Sequence, residues 1–240
     1  MANKRKENSS HFEVISEKTP FAYTEALKSL RTNIEFLTAS GDCKTIMLCS
    51  SLSGEGKTTL SINLAVALAR DGKKVLLVDC DLRRPKIQRY LRIKASTENG
   101  VSTILSGSSE LENSIGYVEE LGIYVILSGP TPPNPTELLT SERSGQMFEQ
   151  LRERFDYVIC DTPPVSIVSD AAAFSKYMDG AVLIVRQNYA SRSQINETIN
   201  RLKAVNTNIL GTVLNDYNSR KDADYKYGRY NSYNAYYEDR

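Results

Sequence analysis

From Lys44 onward, apolar runs of strand length alternate with stretches of helical periodicity. That alternation admits few folds, because each apolar run has to be covered by the helices between the runs, as in a parallel sheet wrapped on both faces. The runs Thr45–Cys49, Lys74–Asp79, Ile123–Leu127, Tyr157–Asp161, Ala181–Arg186 and Ile209–Asn215 are rich in Val, Ile, Leu or Tyr and read as strands. Being nearly continuous in apolar residues, they are expected to be buried on both sides. Helices are expected over Lys57–Asp71, Gly145–Arg154, Asp170–Lys176 and Ser191–Val205, with Ser169 or Asp170 and Ser191 as N-caps. The expected fold class is α/β, a doubly wound and mostly parallel sheet flanked by helices.

Ahead of the first strand, Tyr23 to Leu37 carries Ala26, Leu27, Leu30, Ile34 and Leu37 at helical spacing, which predicts an amphipathic helix packed on the core or on a neighbour. The segment from Gly129 to Pro135 holds four prolines and is expected to be a stiff surface loop. After Asn215 the apolar pattern stops, and Asn, Asp, Lys, Arg, Gly and Tyr take over. Such a segment is too poor in aliphatic residues to build a core and is expected to be disordered when free. The division is therefore an N-terminal segment over 1–20, one domain over 21–216 and a tyrosine-rich tail over 217–240.

A chain of 240 residues with 40% hydrophobic content suits one α/β domain. A formal charge of +1 leaves no basic stripe for nucleic acid, so nucleic acid is not expected as a partner. Cys43, Cys49, Cys80 and Cys160 lie singly in apolar runs without metal-ligand spacing, and read as buried free thiols of a reducing, cytoplasmic compartment. Nothing approaches the roughly 18 apolar residues of a membrane span, so membrane association is expected to come through a partner.

The chemistry concentrates at strand ends. Ser51-Leu-Ser-Gly-Glu-Gly-Lys-Thr58 sits between a strand and a helix, where backbone N–H groups and the helix dipole can surround phosphate oxygens. Gly54 and Gly56 permit close approach, Lys57 neutralises the phosphates, and the Thr58 hydroxyl suits magnesium. The expected nucleotide contacts are Ser53, Gly54, Glu55, Gly56, Lys57, Thr58 and Thr59, with Asn215 at the end of the last strand. A glycine-rich turn that merely caps a helix is the plainer alternative, but it leaves an interior Lys57 unexplained. Asp79 and Asp81 follow one strand and Asp161 ends another, at the carboxyl edge where open α/β sheets bind ligands. With Thr58, Asp81 and Asp161 are the candidate magnesium ligands; Lys57, Asp79 and Asp81 are the candidate catalytic set. Each Asp could instead cap a helix or bind a backbone amide. Arg83 and Arg84 could meet phosphates or the tail, or serve only solubility.

Six tyrosines, Tyr225, Tyr227, Tyr230, Tyr233, Tyr236 and Tyr237, crowd the last sixteen residues. A phosphate loop followed by such a tail suggests a kinase carrying its own substrate. The loop, the second motif Leu76-Leu-Val-Asp-Cys-Asp-Leu-Arg83, the strand running into Asp161-Thr-Pro-Pro164 and the tyrosine cluster together resemble the bacterial tyrosine kinases of capsule and exopolysaccharide systems in their Firmicutes form. The resemblance implies ATP and Mg²⁺ as cofactors, with Asp79 accepting the proton of the incoming tyrosine and Asp81 and Asp161 organising the metal. It also implies a membrane adaptor that activates the kinase, a ring-shaped homo-oligomer of eight, and a cognate tyrosine phosphatase. A tyrosine hydroxyl with pKa about 10 needs its proton removed, but a loose transition state asks for positioning more than for a strong base, so Asp79 is not expected to need an unusual pKa. The family's Glu-x-x-Arg-x-x-Arg subunit-contact helix is represented by Glu25, Lys28 and Arg31; Lys28 keeps the charge but loses the planar fork of Arg.

Residues Arg220 to Arg240 hold five basic and four acidic side chains, so the unmodified tail is nearly neutral. Six phosphates would shift it by roughly −9 to −12, enough to repel itself and its neighbours. The main competing reading is a partitioning or division-site ATPase that acts as a nucleotide-dependent assembly switch. Such loops carry a signature Lys where this chain has Leu52, and the tail lacks an apolar stripe for a membrane. A nucleotide-binding regulatory module without catalysis is a third reading, which retention of Lys57, Thr58 and the three aspartates opposes.

Overall fold

The computed structural model describes residues 14–41, 43–93, 98–166 and 170–217. The six tail tyrosines and the candidate cap Ser169 lie outside the described residues. The strands are β1 (Thr45–Ser50), β2 (Val75–Asp79), β3 (Gly116–Val118), β4 (Ile123–Ile126), β5 (Tyr157–Asp161), β6 (Gly180–Arg186) and β7 (Ile209–Asn215). They form one sheet in the order β3-β4-β2-β5-β1-β6-β7. Neighbours run parallel except for the β3–β4 pair. The helices are α1 (Phe21–Leu37), α2 (Lys57–Arg70), α3 (Ile87–Leu91), α4 (Val101–Ser106), α5 (Pro135–Leu139), α6 (Glu142–Arg154), α7 (Asp170–Phe174) and α8 (Arg192–Ala204).

Every expected strand and helix forms, with ends moved by a few residues. The segments the periodicity did not predict are β3, α3, α4 and α5, each of three to six residues. An element that short completes at most about two helical turns or one strand repeat, too little to register as a period. Pro135, the last of the proline run, opens α5, where its missing N–H is no loss. Ser191 caps α8 as expected: its hydroxyl accepts from the Gln194 amide, and the Gln194 side chain returns to the Ser191 N–H at 2.9 Å.

The pleat sorts β1 between two cores. Ile46 and Leu48 pack with Ile62, Leu64 and Leu68 of α2, beneath Leu27 and Ile34 of α1; Met47 and Cys49 face Phe148 and Leu151 of α6. Double-sided burial holds for β1, β2 and β5, all of whose residues are buried. It fails for β7, where Leu214 is 52% exposed, because β7 ends the sheet and pairs with β6 alone. Cys49, Cys80 and Cys160 are buried free thiols, whereas Cys43, in the approach to β1, is only half-buried.

One carboxylate joins three elements. Asp179 Oδ2, just ahead of β6, accepts the Lys44 N–H at 2.9 Å, the Thr45 N–H at 2.7 Å and the Thr45 hydroxyl at 2.7 Å. Its Oδ1 lies 3.0 Å from Arg152 Nη2 at the end of α6. Burial works to raise this carboxyl, but the Thr45 and Lys44 donors and the Arg152 guanidinium outweigh it and hold the pKa below the ordinary value. A depressed acid stabilises the fold above its unfolded pKa, and the contribution is lost as pH falls through the folded one. Asp179→Ala is expected to cost about 2–3 kcal/mol at neutral pH. Asp179→Asn should narrow its deficit against wild type below about pH 4, as urea unfolding at several pH values would show.

Candidate active site

Parallel pairing puts the carboxyl ends of β2, β5 and β1 side by side, with Asp79 directly opposite Asp161 in the β2–β5 register. The loop from Ser51 to Gly56 leaves the end of β1 at that edge and enters α2 at Lys57. Gly54 and Gly56 have φ of 88° and 93°, the left-handed region that an L side chain resists. A Cβ on Gly56 would also stand 2.1 Å from the Asn215 amide nitrogen. These two glycines are therefore fixed by the loop's path as well as by the need for close approach.

Lys57 is nearly buried, and its ammonium donates to Ser50 Oγ at 2.9 Å. Burial lowers its pKa, while the negative charges of Asp161 and Asp81 pull the other way. A cation stripped of water in this way is poised to gain from an arriving anion. The Thr58 side chain is close enough to the Asp161 carboxylate to lower its pKa, and the Ser61 hydroxyl donates to Asp161 Oδ1 at 3.4 Å. Asp161 is buried, and burial, only partly offset by Lys57 and Thr58, pushes its carboxyl up to about 6.

Asp79 is 1% exposed. Its Oδ2 accepts the N–H groups of Lys86 and Ile87 at the start of α3, both at 3.2 Å, and its Oδ1 accepts the Asp81 N–H at 3.3 Å. It anchors the following turn as well as facing the site. Burial and then the neighbouring Asp161 charge raise its pKa well above the ordinary carboxylate range, a shift that proton removal in a loose transition state does not itself require. Two like charges on adjacent buried strand ends resist ionising together. Asp81 is half-exposed and accepts the Arg84 N–H at 3.0 Å. Among the described residues no three His, Cys, Asp or Glu side chains are arranged to hold a metal by themselves. Magnesium usually keeps several waters and takes one or two carboxylates; Thr58, Asp81 and Asp161 lie at the one strand edge, where Asp81 and Asp161 act on each other and on Lys57.

The remaining predicted contacts divide. Ser53, Gly54, Gly56 and Thr59 lie along the loop and the first turn of α2. Glu55 is fully buried with its carboxylate turned into the loop, accepting the Leu52 N–H at 2.7 Å and the Arg186 N–H at 3.3 Å. Its side chain shapes the loop and leaves only its backbone for a ligand. Asn215 Nδ2 donates to the Glu55 carbonyl at 2.8 Å. Arg83 reaches Thr136 Oγ1 at 3.2 Å. Two residues that the sequence reading did not single out also reach the loop: Tyr189 donates to the Ser53 carbonyl at 2.9 Å, and Arg186 Nη1 to the Gly54 carbonyl at 3.4 Å. Arg186 ends β6 at the same carboxyl edge, and that position was the available signal.

On α1, Lys28 pairs with Glu25 at 2.8 Å and Arg31 with Asp71 at 2.9 Å, so both basic residues of the expected subunit contact also make ion pairs within the chain. No described helix is long and apolar enough to cross a membrane.

An AAA domain family model matches residues 43–212, the span from the approach to β1 through most of β7. Tyrosine-protein kinase YwqD of Bacillus subtilis is 34% identical over 204 residues, 85% of each chain. The chain belongs to the bacterial tyrosine-protein kinase family. The kinase domain of Etk from Escherichia coli superposes with a TM-score of 0.80 at 32% identity, over 90% of this chain and 88% of that one. Against the whole of Etk from strain K12, the kinase spans 28% of the length. A septum site-determining MinD of Pyrococcus horikoshii, solved with Mg-ADP, has a TM-score of 0.64 at 24% identity over 75% of this chain and 72% of that one, a likeness of fold alone.

The raised Asp161 carboxyl carries a sign. A folded pKa of about 6, above the ordinary 3.8, gives stability that is present below the unfolded value and lost as pH rises through the folded one. Asp161→Asn is therefore expected to stabilise the nucleotide-free protein at pH 7.5, by on the order of 1–3 kcal/mol, with the gain fading toward pH 4. Thermal unfolding across that window measures it, and an equal difference at both ends would contradict it.

Proposed function

We propose that this kinase transfers the terminal phosphoryl group of ATP to the tyrosines of its own tail, in trans between subunits, and so regulates capsular or exopolysaccharide synthesis and export. The observation that carries the reading is a buried Lys57 that feels the charges of Asp161 and Asp81, with Asp79 opposite Asp161 at adjoining strand ends, in a chain whose last sixteen residues hold six tyrosines.

The residues fit ATP·Mg²⁺. Left-handed glycines shape the loop, the Lys57 pKa is lowered as though awaiting an anion, and the Thr58 hydroxyl meets the Asp161 carboxylate. Bound there, that cofactor would supply the transferable phosphoryl group, held between Lys57 and the loop amides with Thr58, Asp81 and Asp161 on the metal side. A tyrosine oxygen bonds to the γ-phosphorus as the bond to the β,γ-bridging oxygen breaks, and ADP leaves. Asp79 takes the phenolic proton. The loose transition state asks for positioning more than for a strong base. Because Asp79 is covered by the turn leading to α3, the acceptor's approach requires that turn to give way.

The domain over 21–216 would be the kinase, and 217–240 the acceptor tail. The unmodified tail would dock in a neighbouring subunit's site within a ring of eight, and accumulated phosphate would disperse the ring by charge. A membrane adaptor would recruit and activate this cytoplasmic chain, and a cognate phosphatase would reset it. The partitioning-type assembly switch is disfavoured by Leu52 at the signature lysine position.

Incubation with labelled ATP and Mg²⁺, with the adaptor's cytoplasmic segment supplied, tests the reading. Phosphotyrosine is expected in wild type and is expected to be absent from Lys57→Met. Truncation after Asn218 should remove most label, with any residue confined to tyrosines such as Tyr217. Asp79→Asn should lower the transfer rate by about 10²–10³-fold at unchanged ATP affinity. Nucleotide hydrolysis without phosphotyrosine would overturn the assignment.

A further inference from the structure

Three consecutive carbonyls of the phosphate loop are held from outside. The Ser53 carbonyl accepts from the Tyr189 hydroxyl at 2.9 Å, the Gly54 carbonyl from Arg186 Nη1 at 3.4 Å, and the Glu55 carbonyl from Asn215 Nδ2 at 2.8 Å. In a trans peptide the N–H points opposite its carbonyl. Drawing these carbonyls toward the β6–α8 turn and the end of β7 therefore turns the N–H groups of Gly54, Glu55 and Gly56 the other way. Successive N–H groups in that arrangement make a concave site for an anion.

The same arginine holds the root of the tail. Arg186 Nε and Nη2 both bond Asp216 Oδ2, at 3.0 and 2.9 Å, and its guanidinium stacks over the Tyr189 ring at 5.2 Å. Asp216 sits at φ 56°, left-handed for a non-glycine residue, at the point where β7 ends. The backbone is continuous with this brace, since the Gln187 N–H donates to the Asn215 carbonyl at 2.9 Å. Both members of the ion pair are partly exposed, at 40% and 63%. An exposed pair is weak alone, which makes it a contact that can open and close.

We propose that Arg186, Tyr189 and Asn215 are positioning residues that aim the loop's N–H groups at the phosphates, and that Arg186, through Asp216, carries the loop's loaded or empty state to the root of the acceptor tail. The second half rests on the tail being the acceptor; the first half does not. When phosphates draw the loop amides inward, the Gly54 carbonyl moves with its peptide. The guanidinium that bridges it to Asp216 has to follow or let go.

The test uses the full chain, ATP with Mg²⁺, and the variants Tyr189→Phe, Arg186→Ala, Arg186→Lys and Asp216→Asn. Removing one hydroxyl while keeping the ring, Tyr189→Phe should weaken ATP binding about fivefold and leave kcat for a free peptide of residues 221–240 nearly unchanged. Unaltered affinity in both Tyr189→Phe and Arg186→Ala would overturn the loop assignment. Asp216→Asn should bind ATP and phosphorylate the free peptide as wild type does, yet phosphorylate its own tail about fivefold more slowly. Arg186→Lys should recover part of what Arg186→Ala loses. Hydrogen exchange of the backbone over 213–217 reads the coupling without catalysis: ATP should alter it in wild type and not in Arg186→Ala or Asp216→Asn. Exchange in wild type that ignores ATP would overturn the coupling. Failure to form phosphotyrosine would instead overturn the kinase reading and leave both the binding and exchange results decisive here.

Discussion

Like charges crowded at the ends of two buried parallel strands govern this molecule. Asp79 and Asp161 lie opposite each other in the β2–β5 register, and both are almost without solvent. Water would ordinarily screen such a pair; here Lys57, Thr58 and Ser61 stand in for it around Asp161, and the amides of Asp81, Lys86 and Ile87 around Asp79. The arrangement costs stability in the empty protein, since burial raises both carboxyls and lowers the lysine. Protein interiors keep unfavourable charge where a ligand is to supply what is missing, and phosphate with a divalent cation has the charges this pocket lacks.

The sheet order makes that crowding unavoidable. With β1 between β5 and β6, and β5 between β1 and β2, the loop after β1 and the acids after β2 and β5 come to one edge without any long-range bend of the chain. Asp179 works at the other end of the sheet, tying the starts of β1 and β6 to the last turn of α6. Strand ends fixed by a stapled core place their side chains to within fractions of an ångström, which loops alone would not achieve.

Function depends as much on what surrounds the loop as on the loop itself. Glu55 fills its interior, while Tyr189, Arg186 and Asn215 grip its carbonyls from the far side. These contacts join the first third of the chain to residues 186–216, so the glycine loop after β1 is completed by the strand from which the tail departs. The chain shares its fold with a septum site-determining MinD and a cell division ATPase MinD, and a fold common to such proteins and kinases leaves function to the site and to what is attached to it.

What the sequence determined by itself was local: the six main strands, the four long helices and the short α7, the Ser191 cap, the phosphate loop and the three acids at strand ends. Each of these is written in periodicity or in a short motif whose spacing the backbone enforces. The three-dimensional arrangement decided the rest. That β7 would be a half-exposed edge, that Glu55 would turn inward, that Asp79 would be covered and its pKa raised, and that Arg186 and Tyr189 would reach a loop more than 130 residues away all follow from which strands became neighbours. Burial, dielectric and long-range hydrogen bonds are properties of that arrangement, and no window along the chain contains them.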